Sequence, residues 1–180
     1  MDYEEDNSDN TNTLFLIEPI FGRIGGHIGN HEVYKCPSDR SWAEIGGETH
    51  PRVRSYSMNG FVGARRHSGG AYWRLFLKTT DFRHPAPVNT WVFIDEHEDT
   101  IDDGRFSVDH DDPWWVDLAA SRHGGSGTLS FADGHAEIKR WVDPRTRKPV
   151  ERKKVFGFPS PNNPDLLWLK ERTTSIVGEL

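Results

Sequence analysis

Apolar residues fall in short runs along this chain, broken by Gly, Pro, Asn and Asp, and most runs alternate with polar residues. Alternation predicts half-buried strands. The clearest is Thr90-Trp91-Val92-Phe93-Ile94, β-branched and aromatic, with prolines before it and acids after it. Gly127 to Phe131 places Leu129 and Phe131 on one face. Ala136 to Trp141 alternates back, with Ala136, Ile138 and Trp141 expected on the core side. Between them Asp133-Gly134 signals a hairpin, because a tight turn needs positive φ. Val53 to Met58, closed by Asn59-Gly60, predicts another strand. Val33 to Cys36, stopped by Pro37, predicts a short one, and Arg105 to Val108 predicts one after the turn Asp102-Asp103-Gly104. Helical spacing occurs twice. Leu14 to Phe21, with Thr13 before and Gly22 after, predicts a short helix, and Asp165 to Arg172, behind Pro164, predicts the other. Tyr72 to Leu77 fits either period. Residues 1–12 read as a disordered acidic tail, 61–71 as an exposed loop, 143–163 as a long Pro-rich basic loop and 176–180 as a C-terminal tail. The pattern gives an α+β domain over 13–175: an antiparallel sheet of short strands with helices at its ends.

Composition narrows this picture. Of 180 residues only 34% are hydrophobic, while seven Trp and ten Phe carry much of the apolar mass. The net charge of -6 argues against a general nucleic-acid binder, which needs a basic face. The local basic run, Arg145 to Lys148 and Arg152 to Lys154, reads as a solvated loop. A single cysteine, Cys36, precludes an intrachain disulfide and reads as a small buried residue. The N-terminus has neither the basic nor the apolar region of a signal peptide, and no apolar run approaches a membrane span, so the sequence taken literally is soluble and unexported.

Four groups of residues carry candidate chemistry. His123, Asp133 and His135 flank one strand and its turn and offer zinc-type ligands; the plainer reading has His123 bonding the backbone or Asp133 to fix the glycine-rich loop. Asp95, Glu96, Glu98, Asp99, Asp102 and Asp103 offer oxygen ligands to calcium, without EF-hand order. Asp95, Glu96, Asp109, Asp111 and Asp112 include pairs of the kind that hydrolyse glycosides, given a cleft. Trp114, Trp115, Trp91, Trp73 and Tyr72 can stack on sugars if exposed or fill a thin core if buried. No nucleophile elbow, zincin motif or phosphate loop is present, so the chain is expected to be non-catalytic and to need no cofactor.

The stretch from His123 to Asp133-Gly134-His135 resembles the prepilin-type processing-associated H-x(9)-D-G family, pseudopilin-like proteins of planctomycetes, verrucomicrobia and their relatives. Three further segments agree in order: Cys36-Pro37-Ser38-Asp39 with the family's C-P-x-D turn; Arg54-Ser55-Tyr56 through Asn59-Gly60 with its R-S-Y-x-x-N-G segment; and Trp91 to Asp95-Glu96, followed by Asp103-Gly104-Arg105-Phe106, with its central strand and D-G-x-F turn.

The resemblance implies a type IV pilin-like fold, an extracytoplasmic place and assembly with other pseudopilin-like subunits or secretion-system components. It implies no enzymatic activity and assigns no role to the motif residues. In such proteins a cleavage signal and an apolar helix precede the head; here Met1 is followed by Asp2, Tyr3, Glu4 and Glu5. The expectation is a head domain whose only membrane contact is through that missing helix, leaving an apolar sheet face for a partner, for self-association or for Leu14 to Phe21. Two other readings stand beside it. One is a carbohydrate- or surface-binding module using Trp114, Trp115 and residues 61–73. The other is a metal-dependent hydrolase at His123, Asp133, His135 and Asp95.

Overall fold

Nine short strands form three antiparallel or mostly antiparallel sheets in the computed structural model, which describes residues 2–22, 24–63 and 72–178. They are β1 (Trp42–Ile45), β2 (Glu48–Pro51), β3 (Tyr56–Asn59), β4 (Trp91–Asp95), β5 (Arg105–Phe106), β6 (Trp114–Trp115), β7 (Ser126–Phe131), β8 (Ala136–Arg140) and β9 (Phe158–Pro159). The main sheet has the order β5-β3-β4-β7-β8, antiparallel except for the β3–β5 pair. The helices are α1 (Leu14–Ile17), α2 (Gly25–Ile28) and α3 (Pro164–Lys170). This is the expected α+β architecture. Among the described residues no helix is long and apolar enough to cross a membrane.

The core gathers Trp91 and Ile94 of β4, Phe106, Trp115, Leu129 and Phe131 of β7, Trp141, and Leu166 and Leu169 of α3. Strict alternation would send Trp91 and Ile94 to opposite faces. A register shift against β7 between Trp91 and Phe93 brings both into the same cluster. Helix α3 is fixed at its start: Asn163 Oδ1 accepts from the N–H groups of Asp165 and Leu166, and Pro164 occupies the first turn.

Strand β8 runs where expected but turns the other face inward. Its pairing sets Glu137 opposite Leu129 and Ile138 opposite Thr128. Directly opposed residues share a face, so Glu137 sides with the core-facing Leu129, while Ala136 and Ile138 face outward. Ile138 is 68% exposed. The expectation for Trp141 holds: it is buried, and its Nε1 donates to the Ala120 carbonyl.

Other boundaries differ for local reasons. Helix α1 stops at Ile17 instead of reaching Gly22, because Pro19 drives Glu18 into an extended conformation. The expected strand Val33 to Cys36 is instead a 3-10 turn over His31–Tyr34, with the Asn30 side chain accepting from Glu32 N–H. The strand expected from Val53 begins at Tyr56. The β1–β2 hairpin was not anticipated; its turn, Gly46-Gly47, has φ of 63° and 77°. Residues 143–163 contain β9, which pairs with β6. Within the expected loop 61–71, Phe61 is buried, and residues 64–71 lie outside the described residues.

The acidic N-terminal segment lies against the domain rather than trailing as a tail. Tyr3 Oη donates to Asp99 Oδ1 at 2.9 Å, the Arg52 guanidinium lies 4.1 Å over the Tyr3 ring, and Asn10 is buried. Asp99 also accepts from the N–H groups of Glu151 and Arg152, so one carboxylate ties residue 3 to the late loop.

Candidate functional site

Strand β4 ends on Asp95 and Glu96 follows it in extended pairing with Ala119, so the two successive acids point to opposite faces. Asp95 and Glu96 therefore enter two separate buried environments. On the Asp95 side, the fold brings together Cys36, Asp39, Asp95 and His123, residues from three of the four segments that carry the family resemblance.

The Cys36 turn is built by short contacts. Asp39 N–H donates to the Cys36 carbonyl at 2.9 Å, and Asp39 Oδ1 accepts from Ser41 N–H at 2.7 Å. Ser55 Oγ accepts from Cys36 N–H at 3.1 Å and donates to Asp39 Oδ2, locking this turn to the residue before β3. Pro37 lies inside the turn. Tyr56 follows Ser55, and burial raises its phenol above the ordinary value, with Cys36 and Asp95 adding in the same direction.

Arg122 sits at the centre. Its Nη1 donates to Asp95 Oδ1 and its Nη2 to the Glu96 carbonyl at 2.9 Å, while Asp39 Oδ2 and Glu98 Oε1 each lie 3.7 Å from the guanidinium. Lys35 Nζ approaches Asp39 at 4.0 Å. Burial works against the Arg122 charge, but Asp95, Asp39 and Glu98 outweigh it and hold its pKa above the ordinary value. Burial also works against ionised Asp39; Arg122 and the hydrogen bonds from Ser55 and Ser41 reverse that and lower it. Asp95 is pushed up to about 6 by burial, against the pull of Arg122.

His123 closes the group. Its Nε2 lies 3.3 Å from Cys36 Sγ and 3.8 Å from Asp95 Oδ2. Both neighbours face the same ring nitrogen. A Cys-His-Asp relay needs thiol and carboxylate on opposite nitrogens, so this arrangement does not pass a proton along the ring. The ligand atoms of Cys36, Asp95 and His123 all lie within 4.8 Å of one another.

Of the two partners expected for His123, the backbone or Asp133, the bond to Asp133 is not made. Strand β7 separates the two, about 17 Å at the usual strand rise. Asp133 instead bonds His135 Nδ1 at 2.6 Å on the surface, at the far end of the hairpin, where Gly134 supplies a φ of 94°. The grouping His123, Asp133 and His135 thus does not converge.

The acidic stretch also disperses. Glu96, fully buried, accepts from Thr100 Oγ1, and burial together with nearby Asp117 raises its pKa well above the ordinary value. Asp102 pairs with Lys154 at 3.4 Å. Asp103 Oδ1 accepts from Arg105 N–H, its carbonyl accepts from Arg54 Nη2, and the Gly104 carbonyl accepts from Met58 N–H. Asp95, Glu96, Asp102 and Asp103 form no shared calcium cage. Asp109 caps its own turn, accepting from the N–H groups of Asp111 and Asp112, and Asp111 accepts from Tyr72 Oη.

Among the aromatics, Trp91 and Trp115 are buried in the core. Tyr72 and Trp114 are exposed, and the Tyr72 and Trp73 rings are tilted 49° to each other rather than forming one flat platform. Asn59 is buried within the sheet, and Gly60 N–H donates to the Phe106 carbonyl.

Reasoning from sequence missed Arg122, Ser55 and Lys35 as partners in this centre. The available signal was charge balance: three acids near strand and turn ends need a buried cation, and Arg122 directly precedes the motif histidine. No family model, curated protein or solved structure matches this chain.

Proposed function

We propose that this chain is a non-catalytic assembly subunit, an extracytoplasmic head resembling that of a type II secretion-type pseudopilin, and that it joins copies of itself through the apolar surface of residues 14–22. One observation carries the reading. No residue of α1 is buried, and Ile20 and Phe21 are 84% and 58% exposed. With Phe15 and Leu16 they border an open groove of about 820 Å³ whose other wall is formed in part by Met58 of β3 and Phe93 of β4. A contiguous exposed apolar surface of this kind marks a protein contact.

Two further facts support it. Several residues that carry the family resemblance, Cys36, Asp39, Asn59 and Asp95 among them, are buried and used in ion pairs and turn bonds that hold the sheet together. Beside them Arg122 pairs with Asp95, Asp39 and Glu98, so these charges are spent on one another.

Sedimentation velocity from micromolar to millimolar chain tests the proposal. Association that rises with concentration, and that is lost in the double variant Ile20→Glu, Phe21→Glu with unchanged melting, is the expected result. Both side chains are exposed, so the variant should keep its fold. A chain that stays monomeric throughout overturns the reading.

A further inference from the structure

The group beside Arg122 has a feature that ion pairing does not explain. Asp95 Oδ2 is buried and has no hydrogen-bond partner, since Arg122 takes Oδ1. A buried carboxylate oxygen left unbonded is costly and needs a reason. It lies 3.8 Å from His123 Nε2, and Cys36 Sγ lies 3.3 Å from the same nitrogen. The buried thiol, the imidazole and the free carboxylate oxygen thus face a common point.

We propose that Cys36, Asp95 and His123 form a zinc-binding site. The spacing fits the ion. With zinc–sulfur near 2.3 Å and zinc–nitrogen or zinc–oxygen near 2.0–2.2 Å, the edges of a tetrahedron are roughly 3.4–3.6 Å. The observed separations of 3.3 and 3.8 Å bracket that range. The donor set selects the metal class: a thiolate disfavours calcium and magnesium, which take oxygen, and suits borderline-soft zinc. Charge balances too. A thiolate and a carboxylate neutralise a divalent cation, and the neutral imidazole completes three protein ligands.

The surroundings resemble an outer shell. Arg122 holds Asp95 by its other oxygen, so Oδ2 is directed at the site, and the bond from Cys36 N–H to Ser55 fixes the cysteine backbone. His123 has 28% of its side chain exposed and gives a path inward, while Cys36 and Asp95 are sealed. Three ligands leave one tetrahedral position for water. Binding clamps the 36–39 turn, the end of β4 and the start of the β7–β8 unit together, a structural role that needs no turnover.

The test uses the 180-residue chain without a tag, freed of metal and titrated with zinc and with cobalt(II). Expected are one zinc per chain by equilibrium dialysis, a rise in melting temperature with added zinc, and a thiolate-to-cobalt charge-transfer band. Cys36→Ser and His123→Gln should each weaken zinc by about tenfold or more and remove or shift that band. The wild-type cobalt spectrum decides the matter even if a variant fails to fold. A folded wild-type chain that binds no zinc, gives no thiolate–cobalt band, or binds zinc equally well in folded His123→Gln overturns the site.

Discussion

Asn59 Nδ2 donates a 2.9 Å hydrogen bond to the backbone carbonyl of Trp91 and a second, of 3.0 Å, to the carbonyl of Thr173. Its Oδ1 accepts from Phe61 N–H at 2.9 Å. One amide, fully buried, joins β3, the start of β4 and the residues after α3.

Removing that amide takes one hydrogen bond from each of three backbone groups. Asn59→Ala is expected to cost about 3 kcal/mol of stability, measured by urea unfolding. Asn59→Asp keeps the acceptor and loses both donations, and should be no better than Ala at neutral pH. A loss below about 1 kcal/mol would mean that water replaces the amide.

Arg122 neutralises Asp95 and Asp39 and lies beside Glu98. Arg122→Met fills similar volume but strands the buried Asp95 and Asp39 without their cation. The expected loss is about 3–5 kcal/mol, the range for breaking a buried pair from one side. Arg122→Lys should recover only part of it, since one ammonium cannot reach Asp95 and the Glu96 carbonyl with the geometry of a guanidinium. Equal stability of the Met variant and the parent would show the network to be dispensable.

Asp117 sets a pH dependence. Burial pushes its folded pKa up to about 7 from an ordinary 3.8. Between those values the folded chain holds a proton that the unfolded chain releases, so this group stabilises the fold at low pH and loses that contribution as pH rises toward 7. Glu96, raised by burial and by Asp117 itself, acts in the same direction. Asp117→Asn keeps an oxygen to accept from Ser107 N–H and cannot ionise. Its melting temperature should exceed the parent's at pH 8 and match it near pH 4; a difference independent of pH would refute the assignment.

The central strands were legible because β4 and β7 combine β-branched or aromatic residues with strong turn signals at their ends. The β1–β2 hairpin was not, because Glu44, Glu48, Thr49 and His50 dilute its apolar pattern and most of it is exposed, although Gly46-Gly47 marked its turn. The face of β8 was misjudged because alternation fixes a period but not a phase; the register with β7 sets the phase. The motif segments identified Cys36, Asp39, Tyr56, Asp95 and His123 individually. That Cys36 meets a histidine 87 positions away is a product of tertiary pairing, and local pattern carries no record of it.

The indole of Trp91 donates to Thr173 Oγ1 at 3.1 Å, 82 positions later. The middle strand of the sheet is thus sealed by residues near the far end of the chain, whereas β7 and β8 pair across a short local turn. Closing so long a loop is entropically slow, and contacts of this separation belong to slowly folding topologies. During synthesis the hairpin has its partner as soon as it emerges, while Trp91 stays uncovered until α3 and Thr173 have left the ribosome. The order in which the core closes is therefore not the order in which it is made, and the interval between the two is when this protein depends most on not meeting another unfinished copy.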